Sequence, residues 1–175
     1  MGLALIGTAG SLYLSLGMGL KACPLCFYQR TFVMAALAVL LVGRLAEPSR
    51  PGLVCLLALP LAVGGLGVAA FHEWLVVTGV LECPQALLGL GTAPAQSLAV
   101  LALLALACAA GGHAGRSESA RQRAAAGAGA MLLGLAMAWA CIASAPPLPP
   151  APTKPYDPQT QPLDICRPPF RAESA

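Results

Sequence analysis

The sequence predicts an all-α membrane protein, a bundle of transmembrane helices, and three observations carry that reading. Apolar residues make up 58% of the 175 positions and charged ones only 10%, against about a quarter charged in an ordinary soluble domain. The mean hydropathy is +0.76. The charges punctuate the chain and leave uncharged stretches at 1 to 20, 31 to 43, 51 to 71, 83 to 112 and 124 to 153, and a helix needs roughly 20 such residues to cross about 30 Å of hydrocarbon. This composition rules out an ordinary soluble enzyme and excludes disorder over most of the length. Nucleic acid is not an expected partner, because 10 Lys+Arg against 7 Asp+Glu leave a net charge of only +3, scattered rather than gathered into a basic patch.

Five spans are expected, near 3 to 20, 24 to 43, 52 to 71, 94 to 111 and 124 to 144. The first has no Lys or Arg before Lys21, so it lacks the basic start of a cleaved signal peptide and reads as a span. The second opens at Pro24, proline being favoured at the first helical position. It also holds Arg30, a charge that is costly in lipid unless it sits at an interface or faces a protein-lined site. The third carries Gly64, Gly65 and Gly67 and the fifth Gly127, Gly129 and Gly134. These suit close helix approach in a membrane, or are simply tolerated small residues. Pro94 starts the fourth span, and the Pro146-Pro147 pair stops the fifth, since proline cannot continue a helix. Short connections join the spans, and no internal repeat is visible. Residues 1 to 145 thus form a transmembrane helical domain, followed at 146 to 175 by a tail with ten of the sixteen prolines.

Orientation follows from the Lys and Arg residues near the span ends. Arg44, Arg50, Arg116, Arg121 and Arg123 flank one side, and Lys21, Arg30 and Lys154 the other. The excess assigns the first side to the cytoplasm. Lys21 to Cys26, the 72 to 93 loop and the tail then face outside, in a bacterium-like cell an oxidising compartment.

That orientation sorts the seven cysteines. Cys23, Cys26, Cys83 and Cys166 fall at or beyond the outer boundary, the even set that two disulfides require. Cys55, Cys108 and Cys141 fall inside apolar spans, where cysteine behaves as a small hydrophobe. Cys23 and Cys26 form a Cys-x-x-Cys at the start of the second span, where unpaired backbone amides favour a thiolate. Arg30 lies four residues after Cys26 and so on the same helix face, placed to hold a polar head group of a lipid-soluble redox partner. Two other readings stay open: a structural disulfide, or a zinc site completed by Cys83 and Cys166, although structural zinc sites usually pair two such knuckles.

The stretch Cys23-Pro24-Leu25-Cys26-Phe27-Tyr28-Gln29-Arg30 resembles the signature of the disulfide bond formation protein B (DsbB) family. These membrane enzymes reoxidise a soluble periplasmic thiol oxidase and pass the electrons to quinone. Weaker similarities are Leu88-Gly89-Leu90 followed by Pro94, and His72 at the outer end of the third span. The resemblance covers about residues 3 to 111 and implies a four-helix bundle of DsbB type in the bacterial inner membrane, here with a fifth span. It implies that Cys23 and Cys26 are the membrane-proximal redox pair, with Cys26 facing the quinone, ubiquinone or menaquinone. Arg30 and His72 would be quinone contacts, although His72 reads nearly as well as a core or interfacial histidine. The implied partner is a periplasmic thioredoxin-fold thiol oxidase, DsbA-like, and no metal or flavin is required. The vitamin K epoxide reductase-like family also uses a Cys-x-x-Cys, but there the motif opens a late span.

The chain departs from the DsbB pattern in one place. The family carries its second cysteine pair between spans three and four, where this sequence has only Cys83. A Cys83 to Cys166 disulfide is therefore expected, exposed on the outer face, with the fifth helix delivering the tail. The roughly twenty residues before Cys166 could cover about 60 Å when extended. The alternative is a disordered tail with an unpaired cysteine.

Overall fold

The structure, a computed structural model, describes residues 1–113, 120–147, 150–157, 159–160 and 162–171. Arg116, one of the charges behind the expected orientation, lies outside the described residues, as does the side chain of Arg123. The described residues form five α-helices, α1 (Gly2–Leu16), α2 (Pro24–Ala46), α3 (Pro51–Val77), α4 (Ala93–His113) and α5 (Ala120–Ala143), with a single 3-10 turn at Leu87–Gly89. There is no sheet among the described residues. Among the described residues, four stretches are long and apolar enough to cross a membrane: Pro24–Ala46, Pro51–Val77, Ala93–His113 and Ala124–Ala143. The chain is a multi-pass membrane protein.

The first helix differs from expectation. It ends at Leu16 rather than near residue 20, because the chain turns back on itself. The Gly17 and Met18 amides both donate to the Tyr13 carbonyl, at 2.8 and 3.1 Å, and Leu20 donates to Leu14 at 3.0 Å. Gly19 sits at φ +69°, a left-handed conformation that glycine adopts without penalty. Fifteen residues at 1.5 Å each give about 22 Å, short of the hydrocarbon thickness.

Helix α3 is the centre of the bundle, packed against α2, α4 and α5, while α1 leans on α2 and α4. Ala58, Ala62, Val68 and Ala69 of α3 are buried with Phe32 and Ala36 of α2 and Leu101 and Leu104 of α4. Close approach explains some of the glycines. A Cβ at Gly67 would lie 2.7 Å from the Ala138 Cβ, and one at Gly134 would lie 2.7 Å from the Pro60 carbonyl oxygen. Gly64 and Gly65 lie against Phe32, whereas a Cβ at Gly129 would meet nothing within 4 Å. Only part of the glycine pattern therefore serves helix contact.

The tail folds back over the bundle. Glu82 and Arg167 exchange backbone hydrogen bonds of 2.8 and 3.0 Å, and the Lys21 amide donates to the Asp164 carbonyl at 2.7 Å. The Lys21 ammonium pairs with the Asp164 carboxylate at 2.7 Å, which holds that carboxyl below the usual range. Arg171 donates to the Gly79 carbonyl at 2.9 Å. Tyr156 donates to Pro168 at 3.1 Å and lies under the Arg167 guanidinium at 3.5 Å. The tail is thus tied both to the segment leading into α2 and to the α3–α4 loop.

Candidate functional site

Cys23 is the N-cap of α2: its backbone is extended (φ −69°, ψ 165°) and its sulfur accepts from the Cys26 amide at 3.3 Å. Pro24 follows as the first helical residue, contributing no N–H to a turn that would leave it unpaired. The helix thereby places the sulfurs of Cys23 and Cys26 3.0 Å apart, both as free cysteines. The hydrogen bond from Cys26 holds the Cys23 thiol well below the ordinary thiol range; burial opposes this, and His72 and the Cys26 amide reinforce it.

His72 projects from α3 into the middle of the cysteines and is fully buried. Its Nε2 lies 3.8 Å from the Cys23 sulfur and 3.5 Å from that of Cys83. Its Nδ1 lies 3.1 Å from Nε2 of Gln29 and 4.0 Å from the Cys26 sulfur. Above this group, Cys83 and Cys166 are joined in a disulfide with Cα atoms 4.2 Å apart. One donor atom each from Cys23, Cys26, His72 and Cys166 lies within 4.8 Å of all the others. The expectation of an outward-facing disulfide is corrected here, since Cys83 is only 8% exposed and Cys166 9%. The reason is the folded tail, which with Leu75 and Leu81 packs the bond into an apolar cluster.

Beside the cysteines a cavity of about 420 Å³ opens between α1, α2 and α4, walled by Ser11, Ser15, Cys26, Gln29, Arg30 and Gln96 and reaching Cys166. Arg30 is fixed there by α1. Its Nε donates to Ser11 Oγ at 2.8 Å, and its Nη2 donates to the Ser11 carbonyl at 3.0 Å and to Ser15 Oγ at 2.6 Å. His72 is not among the described residues that wall the cavity. Leu87 and Leu88 also line the cavity, with Leu88 in the left-handed region at φ 61°. Gln96 holds that turn by donating to the carbonyls of Leu87 and Leu90 at 2.9 and 3.0 Å.

Ser11, Ser15 and Gln29 were not anticipated from the sequence. Their signal was present: two hydroxyls four residues apart share a helix face, and a polar residue in a span needs a partner. The remaining free cysteines stand apart from the sulfurs around His72, with Cys108 buried, Cys55 half-buried and both packed in the apolar core. Cys141 packs beside the apolar cluster around the disulfide without joining the sulfurs.

Residues 1–145 match the family described as "Disulfide bond formation protein DsbB". The chain belongs to the DsbB family. Similar proteins include "Disulfide bond formation protein B" of Methylococcus capsulatus, 34% identical over 84 residues covering 47% of this chain and 51% of the relative. "Disulfide bond formation protein B 1" of Pseudomonas aeruginosa is 36% identical over 83 residues, 46% and 51% of the two chains. A Xanthomonas campestris protein of the same description is 40% identical over 73 residues, 39% and 42%. The chain spans about half the length of these curated relatives, and no solved structure matches it. Cys166 lies beyond the residues that match the DsbB family, so the bond it makes to Cys83 comes from outside the shared region.

Proposed function

We propose that this protein is a thiol:quinone oxidoreductase of the bacterial inner membrane. It would reoxidise a periplasmic thioredoxin-fold dithiol protein, DsbA-like, and so support disulfide bond formation. The observation that carries this reading is the crowding of a dithiol and a disulfide around His72, at the wall of a cavity that also presents Arg30.

Electrons enter at Cys83–Cys166. A thiolate of the partner attacks one sulfur, a mixed disulfide forms, and the partner's second thiol resolves it, leaving the partner oxidised and the pair reduced. Because the bond is buried, the tail must lift for that attack. The Cys166 thiolate then attacks the neighbouring Cys23–Cys26 disulfide, and Cys83 resolves the resulting bridge. Cys23 and Cys26 are left as a dithiol, the arrangement of thiols and disulfide described above.

The cavity suits a quinone head group in size and in chemistry, with an apolar wall and a fixed guanidinium. A quinone supplies one thing, the capacity to accept two electrons and two protons. Cys26 presents its sulfur to the cavity, and Arg30 offers hydrogen-bond donors where negative charge would develop. Ser11 and Ser15 hold Arg30 in place, and the apolar wall excludes water. Cys23 faces His72 and the disulfide, so the two sulfurs of the motif divide exchange from electron delivery. The charge bias towards arginine at the opposite end supports a periplasmic position for the end of the bundle that holds all four cysteines.

The test is quinone reduction by the purified full chain supplied with a reduced thioredoxin-fold dithiol protein. Turnover that Cys26→Ser abolishes is the expected result. A folded protein that reduces no quinone from any such dithiol would sink the reading.

A further inference from the structure

We propose that the fully reduced protein binds one soft divalent cation, Zn²⁺ or Cd²⁺, through Cys23, Cys26, Cys166 and Nε2 of His72, and that the Cys83–Cys166 disulfide governs whether this site exists.

The donors come from three parts of the chain, the start of α2, the outer half of α3 and the tail, and yet they lie within 4.8 Å of one another. A tetrahedral zinc with bonds of about 2.3 Å to sulfur and about 2.0 Å to nitrogen needs its sulfurs roughly 3.8 Å apart and its nitrogen about 3.5 Å from each sulfur. The 3.8 Å between His72 Nε2 and Cys23 is within about 0.3 Å of that requirement. The widest pairs must close by about 1 Å, and Cys23 and Cys26, at 3.0 Å, must open by a little less. Cys23, His72 and Cys166 are buried, as befits a closed site filled by protein ligands alone. A metal-bound histidine usually finds a partner for its other ring nitrogen. Here the Gln29 carboxamide is in place against Nδ1 at 3.1 Å, needing only to turn its oxygen towards the ring.

Redox state controls the third sulfur. While Cys166 is bonded to Cys83 it offers no thiolate, and the thiolate is the metal ligand. Two electrons and two protons, from the partner dithiol in the cycle above or from a phosphine in vitro, convert the bond to two thiols. Binding then displaces the thiol protons. A cation held this way occupies three of the four sulfurs that exchange requires, so it would arrest the reduced protein until withdrawn. Only the source of the reduced form rests on the proposed function.

The experiment uses full-length protein in detergent with Cys55, Cys108 and Cys141 changed to serine, reduced by a phosphine and freed of it under anaerobic conditions. Cd²⁺ is titrated, sulfur-to-metal charge-transfer absorption counts the thiolates, and competition with a chromophoric chelator gives the affinity. One Cd²⁺ per chain with three thiolates is expected for the reduced protein, and much weaker binding once the disulfide is restored. Gln29→Leu should cost about 10- to 100-fold in affinity. Cys166→Ser should cost more, whereas Cys83→Ser, which leaves Cys166 free, should keep tight binding. Absence of saturable binding by the reduced protein, or equal affinities for the Cys83→Ser and Cys166→Ser proteins, overturns the proposal. Quinone turnover without metal binding would remove this site and leave the oxidase reading standing; metal binding without turnover would do the reverse.

Discussion

Helix α3 carries cysteine chemistry near both of its ends, and the two ends differ. Near its start, Cys55 shares an apolar cluster with Cys108 of α4, surrounded by aliphatic side chains. Seventeen residues on, about 25 Å along a helix, His72 meets Cys23, Cys26 and the Cys83–Cys166 disulfide. Both groups are largely withdrawn from water, so burial does not separate an inert thiol from a reactive one. Polar company does: a helix N-terminus, an imidazole, a carboxamide and a fixed guanidinium converge at one end only.

The largest effect that sharpens this contrast is removal of the tail. A chain ending at Ala145 loses Cys166 and should show no quinone reduction with a protein dithiol, while a small dithiol should still reduce Cys23–Cys26 directly. Normal turnover by that truncation would take the outer disulfide out of the pathway. Arg30→Ala comes next. Loss of a charged hydrogen-bond donor is worth about 1.5–3 kcal/mol, so the KM for quinone should rise roughly 10- to 100-fold, with internal thiol exchange intact by trapping of mixed disulfides. An unchanged KM would show that the guanidinium serves packing against α1 alone.

The Cys23 thiol supplies a pH test. Its pKa is lowered chiefly by the hydrogen bond from Cys26, so its thiolate should persist into more acidic solution than an ordinary cysteine's. The pH at which its alkylation slows should therefore lie below the usual thiol range, and Cys26→Ala should move it upward. Alkylation that follows an ordinary thiol profile in both proteins would remove the assigned cause. Lys21→Ala should loosen the tail only a few-fold by hydrogen exchange, as expected of an exposed ion pair. Smallest of all, Cys55→Ser with Cys108→Ala should leave turnover unchanged, and a loss there in a folded protein would break the comparison outright.

The two ends were not equally legible. Eight consecutive residues, Cys23 to Arg30, carry the membrane-proximal pair and the cavity arginine, because two helical turns fix their geometry without outside help. Cys166 could be linked to Cys83 only through the family pattern and the reach of the tail, and nothing in composition announces that a proline-rich segment will dock and bury the bond. His72 was a lone residue whose partners come from other elements, and its place among the sulfurs is set by tertiary packing. Ser11 and Ser15 look like neutral hydroxyls in a span until Arg30 is seen to use them. The early end of α1 rests on the Gly17 and Gly19 turn, which hydropathy reads straight through.

The Cys83–Cys166 bond closes a covalent ring across 83 residues of sequence that encloses α4 and α5. In the chain-entropy view a ring of that size restricts an open chain by about 4.6 kcal/mol. Whenever the bond opens, that restriction is lifted, and among the described residues the Glu82–Arg167 backbone pair, the Lys21–Asp164 contact, the Arg171 anchor and the apolar packing of Ile165 keep the tail in register. Those contacts act as a mooring: they keep the Cys166 thiol at a high effective concentration beside Cys23 during the interval when no covalent tether holds it.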